Sequence, residues 1–516
     1  MARTLLLGAR LLDAGPIGSG AAALEVEDGL ITWAGDPDAA GERRPGATVL
    51  ELDGAVVTPA FVDAHVHATA AGLLADGLDL TGCGSARHLL DAVAARVAQR
   101  PGALVWGHGW QDQLWPDELP SRAALDRAAS GAPVYLSRID VHSALASSTL
   151  LDRAPGVSGA VGWSQTALSA DAHHRVRRAA LAAVDTATRD AAQTAFLTDA
   201  AARGVAVVHE CAGPDISSAE DLAALRTRPG PEVVGYWGEA VGTAAEAEEL
   251  LAATGAHGLA GDLFVDGSIG SRTAALRAPY ADAPGCTGNR YLDATAIGAH
   301  VSACTGAGVQ AGFHVIGDAG ADALLAGLEA AVVATSAEAV RAAGHRVEHL
   351  EMVEPVQVRR LAELGVVASV QPLFDAFWGG PHGMYATRLG TDRARDMNPF
   401  AGLLAAGVEL ALGSDAPVTP VGPWAAIRAA MAHRTPASAI TAAQALAAHT
   451  VGGHRAAGDR APLAGRLLPG AAASYAIWDG AGPLDGSGTD PRCLRLVHRG
   501  AVLHDALAAT IGPITR

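Results

Sequence analysis

The sequence predicts an α/β fold: a (β/α)8 TIM-type barrel with a large insertion after its first strand, plus a small β-sandwich built from both termini. Eight apolar, strand-like runs occur along the middle of the chain, and Ala- and Leu-rich helical segments separate most of them. Both ends of the chain carry short apolar runs divided by Gly and Asp turns. The length of 516 residues suits one large domain with an accessory domain.

The two ends of the chain have the pattern of a small β-domain. Residues 1–56 contain the apolar runs "TLLLGARLL", "ALEVEDGLITWAG" and "ATVLELDGAVV", and residues 455–516 contain "SYAIWDG" and "CLRLVHRGAVLHD". Short apolar runs bounded by turn residues are typical of strands. We therefore assign 1–56 and 455–516 to one composite β-sandwich.

The middle of the chain, 57–454, is predicted to be the barrel because strands and helices alternate along it. The segment at about 68–203 is too long for one crossover and has its own strand candidates, "LVWGHGW" and "PVYLSRIDVHS". We interpret it as an insertion. The eight predicted barrel strands are 56–67, 205–210, 233–237, 263–267, 309–315, 346–350, 366–371 and 408–415.

Composition excludes several classes of function. The formal charge of −17 disfavours a nucleic-acid partner. Neither a membrane-length apolar run nor the core of a signal peptide is evident, so we expect a cytoplasmic protein without a membrane partner. The five scattered cysteines fit reduced thiols. All 37 basic residues are arginine, which excludes a Schiff-base lysine, a P-loop lysine and a carboxylated-lysine metal bridge.

Polar residues at the ends of four predicted strands indicate a metal site. His65 and His67 in "AHVHAT" share one face of the first strand, since side chains alternate. His314, His349 and Asp415 end the fifth, sixth and eighth strands, and barrel active sites form at these ends. A single histidine at a strand end is more often a core residue. The combination favours a divalent ion, with Zn²⁺ as the first choice for a nitrogen and oxygen ligand set.

Six stretches of the chain match motifs of a known family: "TPAFVDAHVHA", "VDGSIGSRTAAL", "FHVIGDAGADA", "RVEHLEMV", "ASVQP" and "LGSDAPVTP". They resemble motifs of the amidohydrolase superfamily of metal-dependent hydrolases, and more narrowly of the branch that contains N-substituted formamide deformylase. The resemblance implies that His65, His67, His314 and His349 are ligands of one or two ions, and that Asp415 is both a ligand and the proton-transfer residue. It also implies hydrolysis of a C–N bond in a small amide or formamide-like molecule by metal-activated water.

One position departs from the family pattern. Many members carry a carboxylated lysine on strand four that bridges two metals, whereas "GDLFVDGS" has Asp262 there. Asp262 is several bonds shorter, so we expect it to fall short unless the backbone moves. Some relatives bridge from strand two, where "VVHECAG" offers Glu210. Strict alternation turns Glu210 away from His209 and Cys211, but a bulge could re-aim it. Glu210 is the preferred bridge, and a single-metal site is the alternative.

Four further residues are candidates for the substrate pocket. His108 and Trp110 in "VWGHGWQDQLW" and His142 in "RIDVHSALAS" lie in stretches that resemble family segments near the substrate; the alternative is packing within the insertion. Arg272 in "GSRTA" either holds a polar substrate group or pairs with a carboxylate. The stretch "DAFWGGPHGMYATRLG" is either a lid or a surface loop.

Two rival functions stay open at this point. The same barrel chemistry could deaminate a cyclic amidine-like compound. A non-catalytic relative could keep the fold and bind a partner, although such a chain would be expected to lose metal ligands. The sequence leaves substrate, metal number and oligomeric state open, and a homo-oligomer is one option.

Overall fold

The computed structural model describes residues 3–13, 23–113, 115–480 and 489–507. Parts of the two predicted sandwich segments, 1–56 and 455–516, lie outside these ranges. The strands, in chain order, are β1 (Arg3–Leu7), β2 (Arg10–Leu11), β3 (Ala23–Glu27), β4 (Leu30–Gly35), β5 (Thr48–Glu51), β6 (Val56–Pro59), β7 (Phe61–Val66), β8 (Leu78–Asp79), β9 (Val105–Trp110), β10 (Val134–Arg138), β11 (Ser143–Ala146), β12 (Leu168–Ser169), β13 (Val205–Ala212), β14 (Glu232–Trp237), β15 (Gly312–Val315), β16 (Arg346–His349), β17 (Val367–Val370), β18 (Glu409–Leu412), β19 (Tyr475–Trp478), β20 (Cys493–His498) and β21 (Ala501–Asp505).

Helices fill most of the connections between these strands. The α-helices are α1 (Ala68–Gly72), α2 (Ala86–Gln99), α3 (Arg122–Ala129), α4 (Ser148–Leu151), α5 (Ala170–Ala182), α6 (Thr186–Ala202), α7 (Ala219–Arg226), α8 (Ala244–Thr254), α9 (Ala294–Ala307), α10 (Asp318–Ala334), α11 (Ala337–Ala343), α12 (Pro355–Glu363), α13 (Pro372–Trp378), α14 (Met384–Leu389), α15 (Thr391–Arg395), α16 (Phe400–Ala406), α17 (Pro423–Met431), α18 (Ala442–Ala448) and α19 (Val451–Ala456). Short 3-10 helices span Pro37–Arg43, Leu73–Ala75, Val157–Gly159 and Pro436–Ser438.

Local sequence sets the limits of these helices. Helix α8 begins at a capping box, in which Thr243 and Glu246 each accept a backbone N–H of the other, and it ends at Gly255 with φ of 65°. Over the described residues no single helix is long and apolar enough to cross a membrane. Helices α10 and α11 reach the required length and apolarity only as a pair, and they are bent by 118° at their junction.

The two ends of the chain form two sheets that share a buried core. One sheet has the order β4-β3-β1-β5, and the other has the order β2-β6-β19-β20-β21. Leu6 and Ile31 of the first sheet pack in one buried cluster with Val57, Ile477 and Leu494 of the second. Strands from both termini therefore bury one common apolar layer.

Part of the segment between β7 and β13 forms a layer of its own, whereas α1 and α6 of this segment pack in the core of the middle strands. Its sheet has the order β12-β11-β10-β9-β8, with β9 parallel to its neighbours β8 and β10. Helices α2 and α3 pack beside it through Leu89 and Leu125, in a cluster that also contains Trp110 and Val134. The two strand candidates of the predicted insertion correspond to β9 and β10.

The middle of the chain carries parallel strands in two sheets, β14-β13-β7 and β15-β16-β17-β18. Single parallel bridges connect these sheets at both sides, from Val66 to Ala416 and, through the intervening segment, from Tyr236 to Gly258 and from Leu259 to Ala311. A large buried cluster joins the strands to the helices around them. The carboxyl ends of these strands consequently face one region of the protein.

Two of the eight predicted middle strands differ from the structure. The first run, 56–67, divides at Ala60, so that β6 pairs with β19 of the terminal sheet and only β7 pairs with β13. The fourth run, 263–267, is not a regular strand, and its segment pairs with β15 only through isolated bridges at Leu259 and Phe264. The remaining six runs correspond to β13, β14, β15, β16, β17 and β18.

Candidate metal centre

The first two candidate ligands lie at the end of β7. His65 and His67 are 0% and 5% exposed, and their ring centroids are 5.2 Å apart. The carboxylate of Asp63 accepts hydrogen bonds from the backbone N–H groups of Ser414 (2.8 Å) and His65 (3.3 Å). These bonds hold the end of β7 against the segment that follows β18.

Three other predicted residues reach the same place from different strands. The rings of His314 in β15 and His349 in β16 are 4.4 Å apart, and those of His349 and His65 are 5.1 Å apart. Asp415 Oδ1 lies 3.4 Å from His65 Nε2 and 3.2 Å from His67 Nε2. The structure therefore brings together the four histidines and the aspartate that the sequence singled out.

Two of the candidate ligands, His349 and Asp415, and Leu350 next to His349 have a left-handed backbone. The φ angles are 70° at His349, 46° at Leu350 and 55° at Asp415. Non-glycine residues in this region cost about 1–3 kcal/mol each and cluster at functional sites. Backbone hydrogen bonds from Leu350 to Val315 and from Asp415 to His65, both 2.8 Å, hold these turns in place.

Asp262 lies among all four imidazoles, which the sequence analysis did not expect of so short a side chain. Asp262 Oδ1 is 3.3 Å from His314 Nδ1, 3.5 Å from His65 Nε2 and 3.8 Å from His349 Nε2. Asp262 Oδ2 is 3.1 Å from His67 Nε2. Asp262 is thus a candidate ligand. The sequence analysis noted its position but did not count it among the ligands, because its side chain was expected to be too short.

A bulge in the backbone explains how Asp262 reaches the centre. Leu259 bridges to Ala311 and Phe264 bridges to His314, so the segment advances five residues while β15 advances three. Two extra residues therefore loop out of the pairing around Asp262. Bulges re-aim side chains and are frequent next to active sites.

Each imidazole uses one ring nitrogen for a hydrogen bond to the protein, and this fixes the direction of the other nitrogen. Such partners set the tautomer and the orientation of metal-binding histidines. The pairs are His65 Nδ1 with the Glu348 carboxylate (2.9 Å), His67 Nδ1 with the Cys211 carbonyl (3.2 Å), His349 Nδ1 with the Gln371 side-chain oxygen (2.7 Å) and His314 Nε2 with the Gly267 carbonyl (3.3 Å).

The partner of His65 belongs to a buried charged group that the sequence analysis also missed. Arg346 donates from Nε (2.6 Å) and from a terminal nitrogen (2.9 Å) to Glu348, and both residues are 0% exposed. Arg346 also donates to the carbonyl of Ala64 (2.7 Å) and lies over the ring of Tyr236. Two opposite charges in the buried strand "RVEH" were the signal for this pair.

Several buried nitrogen and oxygen atoms of the site have no hydrogen-bond partner and could bind a metal ion. His65 Nε2, His349 Nε2 and Asp415 Oδ1 are buried and have no hydrogen-bond partner. Buried polar atoms without partners are rare in native proteins. The donor atoms form overlapping groups within 4.8 Å that include His65, His67 and Asp262, then Asp262, His314 and His349, and also His65, His349 and Asp415. Imidazole nitrogens and carboxylate oxygens are suitable ligands for Zn²⁺ and similar ions.

The electrostatics of the site also favour a cation. Burial lowers the pKa of His67, but the adjacent carboxylates of Asp262 and Asp415 outweigh burial and raise this pKa to about 9. Burial raises the pKa of Asp262, but the charge of His65 and the nearby imidazoles of His314 and His349 bring it well below its usual range. The two carboxylates stay ionised, and their field attracts positive charge to the point where the imidazoles meet.

The carboxylate of Glu210 is held by a backbone N–H group beside the site. Its Oε2 accepts the backbone N–H of Ala68 at the start of α1 (2.7 Å), and burial raises its pKa to about 7. None of the groups of metal-donor atoms found within the described ranges contains it. The neighbouring strand residues His209 and Cys211 face Arg346 and His65, as strict alternation requires.

The two substrate candidates from β9 make structural contacts. His108 hydrogen-bonds to Ser137 Oγ (2.9 Å) and to the Pro417 carbonyl (3.0 Å), and burial lowers its pKa to about 4. The Trp110 indole donates to the Leu136 carbonyl (2.8 Å) and is 1% exposed within the core of the insertion. His108 therefore contacts the segment that carries Asp415, and Trp110 packs away from the site.

Of the other two substrate candidates, His142 and Arg272, only one lies at the site. The His142 ring lies 5.0 Å from the His314 ring and lines the pocket above it. Arg272 donates two hydrogen bonds to Asp282 (3.0 and 2.7 Å) and has 34% of its side chain exposed. The structure thus brings His142 to the site, whereas the guanidinium of Arg272 is occupied by a carboxylate.

A small pocket lies over Asp415, His314 and His349. Its free volume is about 20 Å³, room for about one water molecule. Most of its remaining lining is apolar or aromatic, from Ile269, Ile316, Phe374, Trp378, Met384, Tyr385 and Val418. The stretch proposed as a lid or a surface loop forms α13 and α14, and its Trp378 and Tyr385 cover this pocket.

Comparison with known proteins identifies the family of this chain. The chain is 28% identical over 439 residues to the putative amidohydrolase YtcJ of Bacillus subtilis (strain 168), covering 80% of each chain. It is 25% identical over 520 residues to the N-substituted formamide deformylase of Arthrobacter pascens, covering 89% of this chain and 90% of the relative. An uncharacterized metal-dependent hydrolase from Pyrococcus horikoshii OT3 has a similar structure, with a TM-score of 0.73, 23% identity and coverage of 98% and 100%. A model of the amidohydrolase family matches residues 48–503, and the chain therefore belongs to this family.

Proposed function

We propose that this protein hydrolyses a C–N bond of a small amide or formamide-like molecule with the help of a bound divalent metal. The observation that carries the proposal is the convergence of four imidazoles and two carboxylates on one buried point. Three of these donor atoms, on His65, His349 and Asp415, lack any other partner. The similarity to a relative named N-substituted formamide deformylase supports an amide-type substrate.

The ion would be held by residues that the strand ends present. We assign His65, His67, His314, His349 and Asp415 as ligands, with Zn²⁺ as the first choice because the donors are nitrogen and oxygen. When bound, such an ion polarises a carbonyl group and lowers the pKa of water. The hydrogen bonds to Glu348, Gln371, Cys211 and Gly267 keep the four imidazoles aimed at it.

Asp415 is suited to move the proton. It lines the pocket, and its Oδ1 has no hydrogen-bond donor. Burial raises its pKa, but the charges of His65 and His67 bring it below the usual range, so it is ionised. In this role it accepts a proton from the attacking water and donates it to the leaving nitrogen, because an amine leaves poorly without a proton.

The pocket favours an apolar group on the substrate. Phe374, Trp378 and Met384 form one side of it, and His142 and Asp140 contribute polar atoms. The free volume of about 20 Å³ is small for a substrate, and outward movement of α13 and α14 would enlarge it. Movement of this cover would admit the substrate and then exclude bulk water.

The same proposal extends to the fold. The seven parallel strands and the bridged segment around Leu259 form a closed (β/α)8 barrel, with the segment as its fourth strand. The layer between β7 and β13 is an insertion at the mouth of this barrel. The two terminal sheets form one β-sandwich domain. The bridges at Val66 and Ala416 and the shared terminal core support this arrangement.

The decisive experiment measures metal content and turnover on the same preparation. We expect Zn²⁺, Fe²⁺ or Mn²⁺ in protein purified without added metal, with loss of the ion in the His65→Ala/His67→Ala variant. Among a panel of N-substituted formamides, acetamides and cyclic amidines, formamides or acetamides should be hydrolysed in an ion-dependent way. Turnover of the amidines alone would point to a deaminase. An ion-loaded protein without turnover of any class would contradict the proposal in favour of a non-catalytic binding protein.

A further inference from the structure

Asp262 differs from two other buried carboxylates near the site, those of Asp63 and Asp266, in what surrounds it. The carboxylate of Asp266 accepts three backbone N–H groups, those of Ile316, Gly317 and Ala275 at 2.7–2.9 Å. Asp63 likewise accepts backbone N–H groups. Within the described part of the chain, the contacts of the Asp262 carboxylate are with imidazoles alone. Those other carboxylates hold backbone turns, whereas this one is free to hold a ligand.

The two oxygens of Asp262 face different histidines. Oδ2 approaches His67 Nε2 (3.1 Å), whereas Oδ1 approaches His314 Nδ1 (3.3 Å), His65 Nε2 (3.5 Å) and His349 Nε2 (3.8 Å). Asp262 is also the residue shared by two groups of donor atoms, one with His65 and His67 and the other with His314 and His349. One carboxylate therefore lies between two pairs of imidazoles.

We propose that Asp262 bridges two divalent metal ions, one held with His65 and His67 and the other with His314 and His349. The proposal deepens the proposed function and rests on it. The chain contains no lysine, so no carboxylated lysine is available as a bridge. The bulge around Asp262 brings its backbone closer to the imidazoles, and this compensates for the short side chain.

The packing of the bulge supports a fixed inward position. Gly261 has φ of 80°, and a Cβ built on it would lie 3.0 Å from the Cβ of Cys211. A Cβ on Gly238 would lie 2.9 Å from the carbonyl carbon of Asp262 itself. Two glycines therefore allow the bulge to press against β13 and the end of β14. The bulge is held between the neighbouring strands and cannot relax away from the site without breaking this packing.

The other candidate bridges are engaged elsewhere. The Glu210 carboxylate accepts the N–H of Ala68 (2.7 Å) and belongs to none of the donor groups found in the described residues. Cys211 lies within 4.8 Å of donor atoms of His65 and Glu348, but this group contains neither His314 nor His349. Asp415 contacts His65 and His67 through Oδ1 and fits a terminal ligand.

The test counts ions in the whole protein. Wild type, Asp262→Asn and Glu210→Gln are loaded with Mn²⁺ and analysed for metal per chain, and the spin coupling of bound Mn²⁺ is recorded by electron paramagnetic resonance. We expect two coupled ions in wild type and in Glu210→Gln. In Asp262→Asn we expect loss of one ion or more and loss of the coupling, because an amide oxygen carries no charge to hold two cations. Circular dichroism and thermal unfolding check that each variant is folded.

Three results would overturn the bridge. Two coupled ions retained in folded Asp262→Asn would show that another group joins them. Loss of coupling in Glu210→Gln, with Asp262→Asn unchanged, would move the bridge to strand β13. One ion per chain in wild type would exclude any bridge, yet ion-dependent amide hydrolysis would still uphold the proposed function. A wild type that binds no ion would end both proposals.

Discussion

Replacement of Glu348 by glutamine tests how the buried charged group positions His65. Glu348 accepts two hydrogen bonds from Arg346 (2.6 and 2.9 Å) and one from His65 Nδ1 (2.9 Å). Arg346 and Glu348 are both 0% exposed. In Glu348→Gln the guanidinium keeps its charge without a counter-charge, and one side of the new amide presents N–H groups either to Arg346 or to His65.

Glu348→Gln is expected to lower both the free energy of unfolding and the affinity for the metal. Breaking a buried ion pair by removing one partner costs about 3–5 kcal/mol. Since glutamine retains one acceptor for Arg346, we expect the lower end, about 3 kcal/mol in the free energy of unfolding. Loss of the hydrogen bond that fixes a metal-binding histidine lowers metal affinity about 10–100-fold. This corresponds to about 1.4–2.8 kcal/mol of binding free energy.

Two assays measure these quantities separately. Urea unfolding of metal-free protein gives the first, and competition with a chelating dye gives the second. Glu51→Gln is the matched control, because the Glu51 pair with Arg44 (2.9 Å) is about half exposed on both sides and should contribute about 0–1 kcal/mol. A loss below about 1 kcal/mol in Glu348→Gln with unchanged metal affinity would refute the reasoning, since neither the pair nor the orientation of His65 would then depend on Glu348.

Three further substitutions test other parts of the site. Asp415→Asn should lower turnover about 10²–10⁴-fold in steady-state assays while circular dichroism stays unchanged, and substantial remaining turnover would assign the proton to another group. Gly261→Ala forces a Cβ at φ of 80° against Cys211, so we expect a loss of about 1–2 kcal/mol in unfolding free energy together with reduced metal loading; full loading would show that the bulge does not position Asp262. Trp110→Phe removes the hydrogen bond to Leu136 and should cost about 1–2 kcal/mol of stability with kcat/KM unchanged, whereas a changed KM at unchanged stability would place the indole at the substrate.

Strand periodicity explains why much of the site could be predicted. In "AHVHAT" the period of two places His65 and His67 on one face whatever the rest of the chain does. His314, His349 and Asp415 come at the ends of apolar runs, and the carboxyl ends of parallel strands point to one region. The absence of lysine is likewise a fact of composition, and it removes one class of metal bridge whatever fold the chain adopts.

Contacts between distant segments determine the features of the site that the sequence did not predict. Whether Asp262 reaches the imidazoles depends on the register between Leu259–Phe264 and Ala311–His314, and a two-residue bulge leaves no periodic signal in the sequence. The pairing of Glu348 with His65, 283 residues apart, depends on how β16 lies relative to β7. Glu210 and Trp110 have the residue types expected at a site, but the backbone N–H of Ala68 and the carbonyl of Leu136 engage their polar atoms. The sequence alone determined which side chains each strand offers, because alternation is local; only the tertiary structure decided which of them meet, because bulges and hydrogen-bond partners come from segments far apart in the chain.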